Sequence, residues 1–163
     1  MSKIKKAVAL CCVLLLFVGC QSTQRGVGIA YPFACDVTVK LEDMTLQGRW
    51  EASLIGCYKM TVKEPEAWQG LAFSCQNGKT TLTLCDITYD VPDSLPEMSF
   101  FAMLSAALDQ VAYAEHPDHT SKTTAVYQGR IASGSYSVEV DKATRRPLRF
   151  YTEQGVEIEM SYN

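Results

Sequence analysis

Side chains able to do chemistry are few in this chain of 163 residues, and their spacing decides against most of what they could do. Both histidines lie in Glu115-His116-Pro117-Asp118-His119, a stretch that could suggest a metal clip. Pro117 interrupts the regular backbone that would aim both imidazoles one way, so a solvated loop is expected instead. Cys35, Cys57, Cys75 and Cys85 show no Cys-x-x-Cys spacing, so no zinc site is expected, and no neighbour marks an activated thiol. Ser133 and Ser135 belong to a glycine-containing hairpin turn, not to the strand-to-helix elbow of a serine nucleophile. Glu64 and Glu66 flank Pro65 without a partner base. The expectation is a non-catalytic protein with no metal and no cofactor.

One cysteine has a different chemistry. The chain opens with Lys3, Lys5 and Lys6, has no acid before Asp36, and runs unbroken and apolar from Ala7 to Gly19. A basic head, a short apolar run and a small residue at its end are the parts of a secretory signal, and the run is too short for a bilayer span of about 20 residues. Its end, Phe17-Val18-Gly19-Cys20, resembles the bacterial lipobox, with Phe17 standing where Leu is usual. The resemblance implies cleavage before Cys20, a thioether lipid on its thiol, acylation of the new amine by a chain such as palmitate, and an extracytoplasmic protein anchored in a membrane. Gln21 is not the Asp that resembles an inner-membrane retention signal.

Residues 1–19 thus read as a signal peptide, 20–32 as a lipidated tether, and 33–163 as one domain. Loss of three signal lysines leaves 12 basic and 18 acidic residues, a net charge of −6. That balance excludes a nucleic-acid partner, which demands a basic stripe. It also argues against adhesion to anionic lipid, so the acyl anchor is expected to act alone. Cys35, Cys57, Cys75 and Cys85 permit two disulfides in three connectivities, or four thiols in an anaerobe.

The elements follow from the period of the apolar residues. Phe33, Cys35, Val37, Val39 and Leu41 alternate with polar residues, and after a turn at Asp43-Met44 the positions Leu46, Gly48, Trp50, Ala52 and Leu54 fall opposite them. Tyr58, Met60 and Val62 continue the pattern. Asn77-Gly78 is a two-residue hairpin signal that sets Phe73 opposite Leu82 and Leu71 opposite Leu84. A turn at Cys85-Asp86 then brings Leu84 beside Ile87 and Leu82 beside Tyr89. Ser94-Leu95-Pro96-Glu97 matches a capping box, and Phe101, Leu104, Leu108 and Val111 follow at helical spacing, so one amphipathic helix is expected over about 97–114. His116–Lys122 reads as a polar loop, and strands return at about 123–131, 135–141, 147–152 and 156–162. The fold class is α+β and mainly antiparallel: a curved meander of about ten strands, an incomplete barrel enclosing one amphipathic helix.

Tyr136–Arg149, YSVEVDKATRRPLR, looks like the strand, Asp-x-x-Thr-Gly-x-Pro turn and returning strand of the LolA/LppX-like half-barrel lipoprotein carriers, with Arg145-Arg146 departing from the usual Gly. Residues 33–162 are also similar to small lipoproteins of clostridia-like bacteria, some tied to spore germination. The resemblance implies a concave sheet that shields a hydrophobic, acyl-type ligand under the helix. Trp50, Tyr58, Phe73, Tyr89, Phe100, Phe101, Leu104 and Leu108 are its candidate lining residues; the plain reading is that they fill a core. The other function class is a protein-interaction module of the envelope, an accessory factor in envelope or spore-cortex assembly, which the acidic surface and absent catalytic set would suit. If Cys20 carries the anchor, Cys20→Ser should release or mis-sort a folded protein in cell fractionation. A variant that stays in the membrane would make the apolar run an uncut anchor.

Overall fold

The computed structural model describes residues 28–76, 78–91 and 99–163. The expected signal peptide, Cys20, Asn77 and the expected capping box at Ser94–Glu97 lie outside the described residues. Strand β1 (Phe33–Leu41) is followed by β2 (Met44–Leu54) and β3 (Cys57–Glu64), then by a 3-10 turn at Glu66–Trp68. Next come β4 (Ala72–Gln76), β5 (Lys79–Leu84), β6 (Ile87–Asp90) and helix α1 (Phe100–Tyr113). The chain ends with β7 (His119–Thr120), β8 (Thr124–Ile131), β9 (Gly134–Asp141), β10 (Pro147–Thr152) and β11 (Glu157–Ser161). All eleven strands form one antiparallel sheet in the order β6-β5-β4-β3-β2-β1-β11-β10-β9-β8-β7. It stays open, since β6 and β7 are separate edges, and is consistent with an incomplete barrel.

The register follows the apolar alternation. Cys35 pairs with Trp50, Val37 with Gly48 and Val39 with Leu46, so one face of the β1–β2 hairpin is apolar throughout. Phe73 stands opposite Leu82, Leu82 opposite Tyr89, and Leu84 opposite Ile87, as the turn residues require. Cys85 and Asp86 both take positive φ, 50° and 64°, which gives the two-residue turn the twist of its strands. The first and last strands meet in mid-sheet, with Val37 against Met160 and Val39 against Ile158. The hydrophobic core therefore joins both ends of the chain.

Four details depart from the sequence reading. There are eleven strands because His119 and Thr120 pair with Val126 and Ala125, a two-residue strand too short to show any period. The first hairpin turns at Glu42-Asp43, with Met44 already in β2. The described helix starts at Phe100, capped by the Ser99 hydroxyl, which accepts from the Ala102 N–H at 3.2 Å. Finally, packing begins before Phe33. Ile29 is fully buried, and the Ala30 N–H donates to the Arg145 carbonyl at 2.9 Å. A Cβ on Gly28 would sit 2.3 Å from the Val111 carbonyl oxygen, so only glycine lets the chain pass so close to α1. Residues 28–32 are packed as part of the domain instead of serving as tether.

Asp141 organises the β9–β10 turn by accepting the Thr144 N–H at 2.7 Å and its hydroxyl at 2.8 Å. Arg145, at the departure from the resembled turn, has φ +54°, a conformation that costs an L-residue roughly 1 kcal/mol. Ile29→Ala tests the early start of the fold. Removing a fully buried isoleucine should cost about 2–4 kcal/mol in urea unfolding. A loss under about 0.5 kcal/mol, the scale of a surface change, would return the segment to the tether.

Candidate functional site

Helix α1 lays Phe101, Leu104, Ala107, Leu108 and Val111 on the apolar face of the sheet, all with essentially no exposure. Aromatic side chains from β2, β3 and β4 meet it there. Trp50 lies 5.1 Å from Phe101 between ring centroids, Phe73 stacks on Phe101 at 5.5 Å, and Phe73 meets Phe100 edge-on at 5.6 Å. Tyr58 packs on the far side of Trp50 at 5.7 Å. Of the candidate lining residues, Trp50, Tyr58, Phe73, Phe100, Phe101, Leu104 and Leu108 are thus gathered at the helix, where Trp50, Phe101, Leu104 and Leu108 are wholly buried. Tyr89 is not among them. It shares the same face, in line with Phe73 and Leu82, but stands 58% exposed on the outermost strand.

Free space lies beside the helix. A cleft of about 420 Å³ opens between the flank of α1, the tip of the β4–β5 hairpin and the β8–β9 turn. Its helix wall is Ala102, Met103, Ser105, Ala106 and Asp109; Cys75 and Thr80 face it from one side, Ile131 and Ala132 from the other. The volume is in the range of small-ligand sites, about 300–1,000 Å³. Among the described residues the wall is mostly small and apolar, with Asp109 its only acid. These residues were not singled out in the sequence. Their signal was Ala102, Ala106 and Asp109 at helical spacing, a stripe of small residues next to the apolar one.

Asp109 closes one end of the cleft and ties α1 to the sheet. Its Oδ1 accepts from the Tyr58 hydroxyl at 2.5 Å and the Gly56 N–H at 2.9 Å, and Tyr58 in turn hydrogen-bonds Tyr31 at 2.9 Å. Burial is the main reason that the Tyr31 phenol is pushed up to about 12 and that of Tyr58 raised far above its ordinary range. Both phenols stay neutral donors near pH 7. On the other side, Tyr136 donates to Gln110 at 3.0 Å, and Gln110 donates to the Arg130 carbonyl at 2.9 Å.

All four described cysteines are free. Burial raises the thiol of Cys75, and raises that of Cys35 to about 11, so neither is a ready nucleophile. His116 and His119 are exposed. Among the described residues no group of three or more His, Cys, Asp or Glu side chains is placed to hold a metal, and no helix is long and apolar enough to cross a membrane.

Loss of the Tyr58 hydroxyl should be felt through Asp109. Tyr58→Phe removes a hydrogen bond to a carboxylate and should cost about 2 kcal/mol in urea unfolding. The same phenols set an alkaline limit. Unfolded tyrosine titrates near 10, whereas folded Tyr31 holds its proton to about 12. Between those values the unfolded chain sheds protons that the folded chain keeps, so the contribution is complete below about pH 10 and is lost as pH rises towards 12. Tyr31→Phe should flatten that decline; an unchanged slope would remove Tyr31 from this role.

Neither a protein-family model nor a curated protein matches the chain. Solved structures similar to it include an uncharacterized conserved protein from Thermus thermophilus, at 15% identity and a TM-score of 0.49, covering 82% of this chain and 77% of that one. Another is an outer membrane lipoprotein-sorting protein domain from Vibrio parahaemolyticus, at 13% identity and 0.43, covering 86% and 88%. A LolA superfamily protein from Nitrosomonas europaea is similar at 13% identity and 0.39, covering 81% and 70%.

Proposed function

We propose that this chain is a non-catalytic lipoprotein of the bacterial envelope, anchored outside the cytoplasm through lipid on Cys20, that shields an acyl chain or similar hydrophobe. The observation that carries this reading is the cleft of about 420 Å³ along α1, walled by Ala102, Met103, Ala106 and Ile131. Small side chains along a helix leave room for a guest lying against it. The guest's apolar surface would gain about 25 cal/mol for each Å² removed from water. Permanent anchoring suits retention or shielding better than long-range shuttling.

Native mass spectrometry of protein purified from its own envelope, followed by uptake of a fluorescent fatty acid, tests the reading. Wild-type protein should carry or take up an acyl chain. Ala106→Trp, at an exposed position on the cleft wall, should remove uptake and leave unfolding unchanged. Ligand-free protein that takes up no fatty acid would sink the proposal. Crosslinking of that same protein to one dominant envelope partner would turn the reading to an accessory module, for which the exposed Leu84, Ile87 and Tyr89 of β5 and β6 supply a contact surface.

A further inference from the structure

The antiparallel order sends alternate turns to opposite ends of the sheet, and the two ends differ in charge. At one end lie the connections 42–43, 65–71, 85–86, 132–133 and 153–156. They carry Glu42, Asp43, Glu66, Asp86 and Glu153, and neither Lys nor Arg. At the other end, among the described residues, lie 55–56, Gly78, 121–123 and 142–146. They carry Lys122, Lys142, Arg145 and Arg146, all exposed, and no acid. Glu115, beyond the C-terminus of α1, is the nearby acid in the helix-to-β7 connection; Asp118 of that connection accepts the Gln128 N–H. Among the described connections the charge is thus unevenly shared, acidic at one end and basic at the other.

The basic end is also where the chain enters. Gly28 packs on Val111, and Ala30 bonds to Arg145. Beside this entry a groove of about 550 Å³ is lined by Tyr31, Leu54, Ile55, Tyr113 and Arg145. Tyr113 is 76% exposed and Leu54 56%, among the most exposed large apolar residues described. Arg146 is steadied over the Tyr162 ring at 5.0 Å without loss of its charge.

We propose that this end is a docking face for an anionic phospholipid bilayer: Tyr113 and Leu54 enter the interface while Lys122, Lys142, Arg145 and Arg146 meet phosphate groups. Tyrosine suits that boundary because its ring is apolar and its hydroxyl wet, and cations near the surface add attraction. Length favours one direction. Seven residues lie between Cys20 and Gly28, and the eight steps can span at most about 29 Å. The eleven residues of β2 alone extend about 36 Å. A chain held at Cys20 thus brings its entry end to the bilayer more readily than its acidic end. This inference rests on the proposed anchoring, and it revises the expectation that lipid acts without help from charge.

The test uses the chain purified from membranes of producing cells, reconstituted in vesicles rich in phosphatidylglycerol and carrying brominated phospholipid. Trp50 is buried and Trp68 stands at the acidic end, so the native chain should show little quenching. Tyr113→Trp should add emission that the brominated lipid reduces by roughly half, as expected of a ring at headgroup depth. Lys122→Gln with Lys142→Gln should abolish most of that quenching, since each charge changes the docked-to-free ratio by roughly five-fold. Flotation with vesicles but no quenching of Tyr113→Trp would overturn the docking face and leave anchoring intact; a second copy seated in the groove would give this result. Quenching of Trp68 would place the wrong end at the membrane. Failure to float would overturn both the anchor and the face.

Discussion

One helix has to cover one face of eleven strands, and most of the architecture follows from that mismatch. A 14-residue helix is about 21 Å long, whereas eleven flat strands would be about 50 Å wide. The sheet can bury its apolar face only by curling round α1, and even then the helix covers the centre better than the margins. Burial falls along the cross-strand row Trp50, Met60, Phe73, Leu82, Tyr89: complete in β2 and β3, partial in β4 and β5, and slight in β6. The cleft beside Ala102 and Ala106 and the exposed side chains of β5 and β6 are two results of this shortage of cover.

Because so much depends on α1, its attachment is polar as well as apolar. Asp109 joins it to the β2–β3 turn through Tyr58 and Gly56, and Gln110 joins it to β8 and β9. Such bonds are directional where apolar contact is not, so they set the rotation of the helix and decide which stripe faces the core and which faces the cleft. Gly28 and Ile29 complete the hold by crossing the last turn of α1. The point at which the chain enters, the helix C-terminus and the basic turns are thereby kept together, and the lipid-binding and membrane-facing readings share one rigid frame.

The strand register was legible because it is a local matter: a period of two and a two-residue turn leave one way to keep apolar residues on one face. Phe73 opposite Leu82 and Leu84 opposite Ile87 follow from Asn77-Gly78 and Cys85-Asp86 without knowledge of the rest. His119–Thr120 was not legible, since a strand of two residues has no period and forms only because β8 offers an edge. The aromatic candidates lie near the helix except for Tyr89, whose exposure depends on how far the helix reaches. The lining of the cleft escaped notice because alanines on a helix look like neutral spacers until opposing hairpins make a wall of them.

By itself the sequence determined what most elements would be, which face would be apolar, and that Cys20 bears the marks of a lipid anchor. Those properties depend on neighbours a few residues apart and on side-chain type alone. Tertiary structure decided how much of the apolar face the helix could cover, where space was left, and how charge was shared between the ends. A net charge of −3 says nothing of direction, but alternate turns of an antiparallel sheet lie at opposite ends, and this separates Lys142 and Arg145 from Glu42 and Glu153. Cover, cavity and polarity are relations between parts distant in the chain, and they exist only once those parts have been brought together.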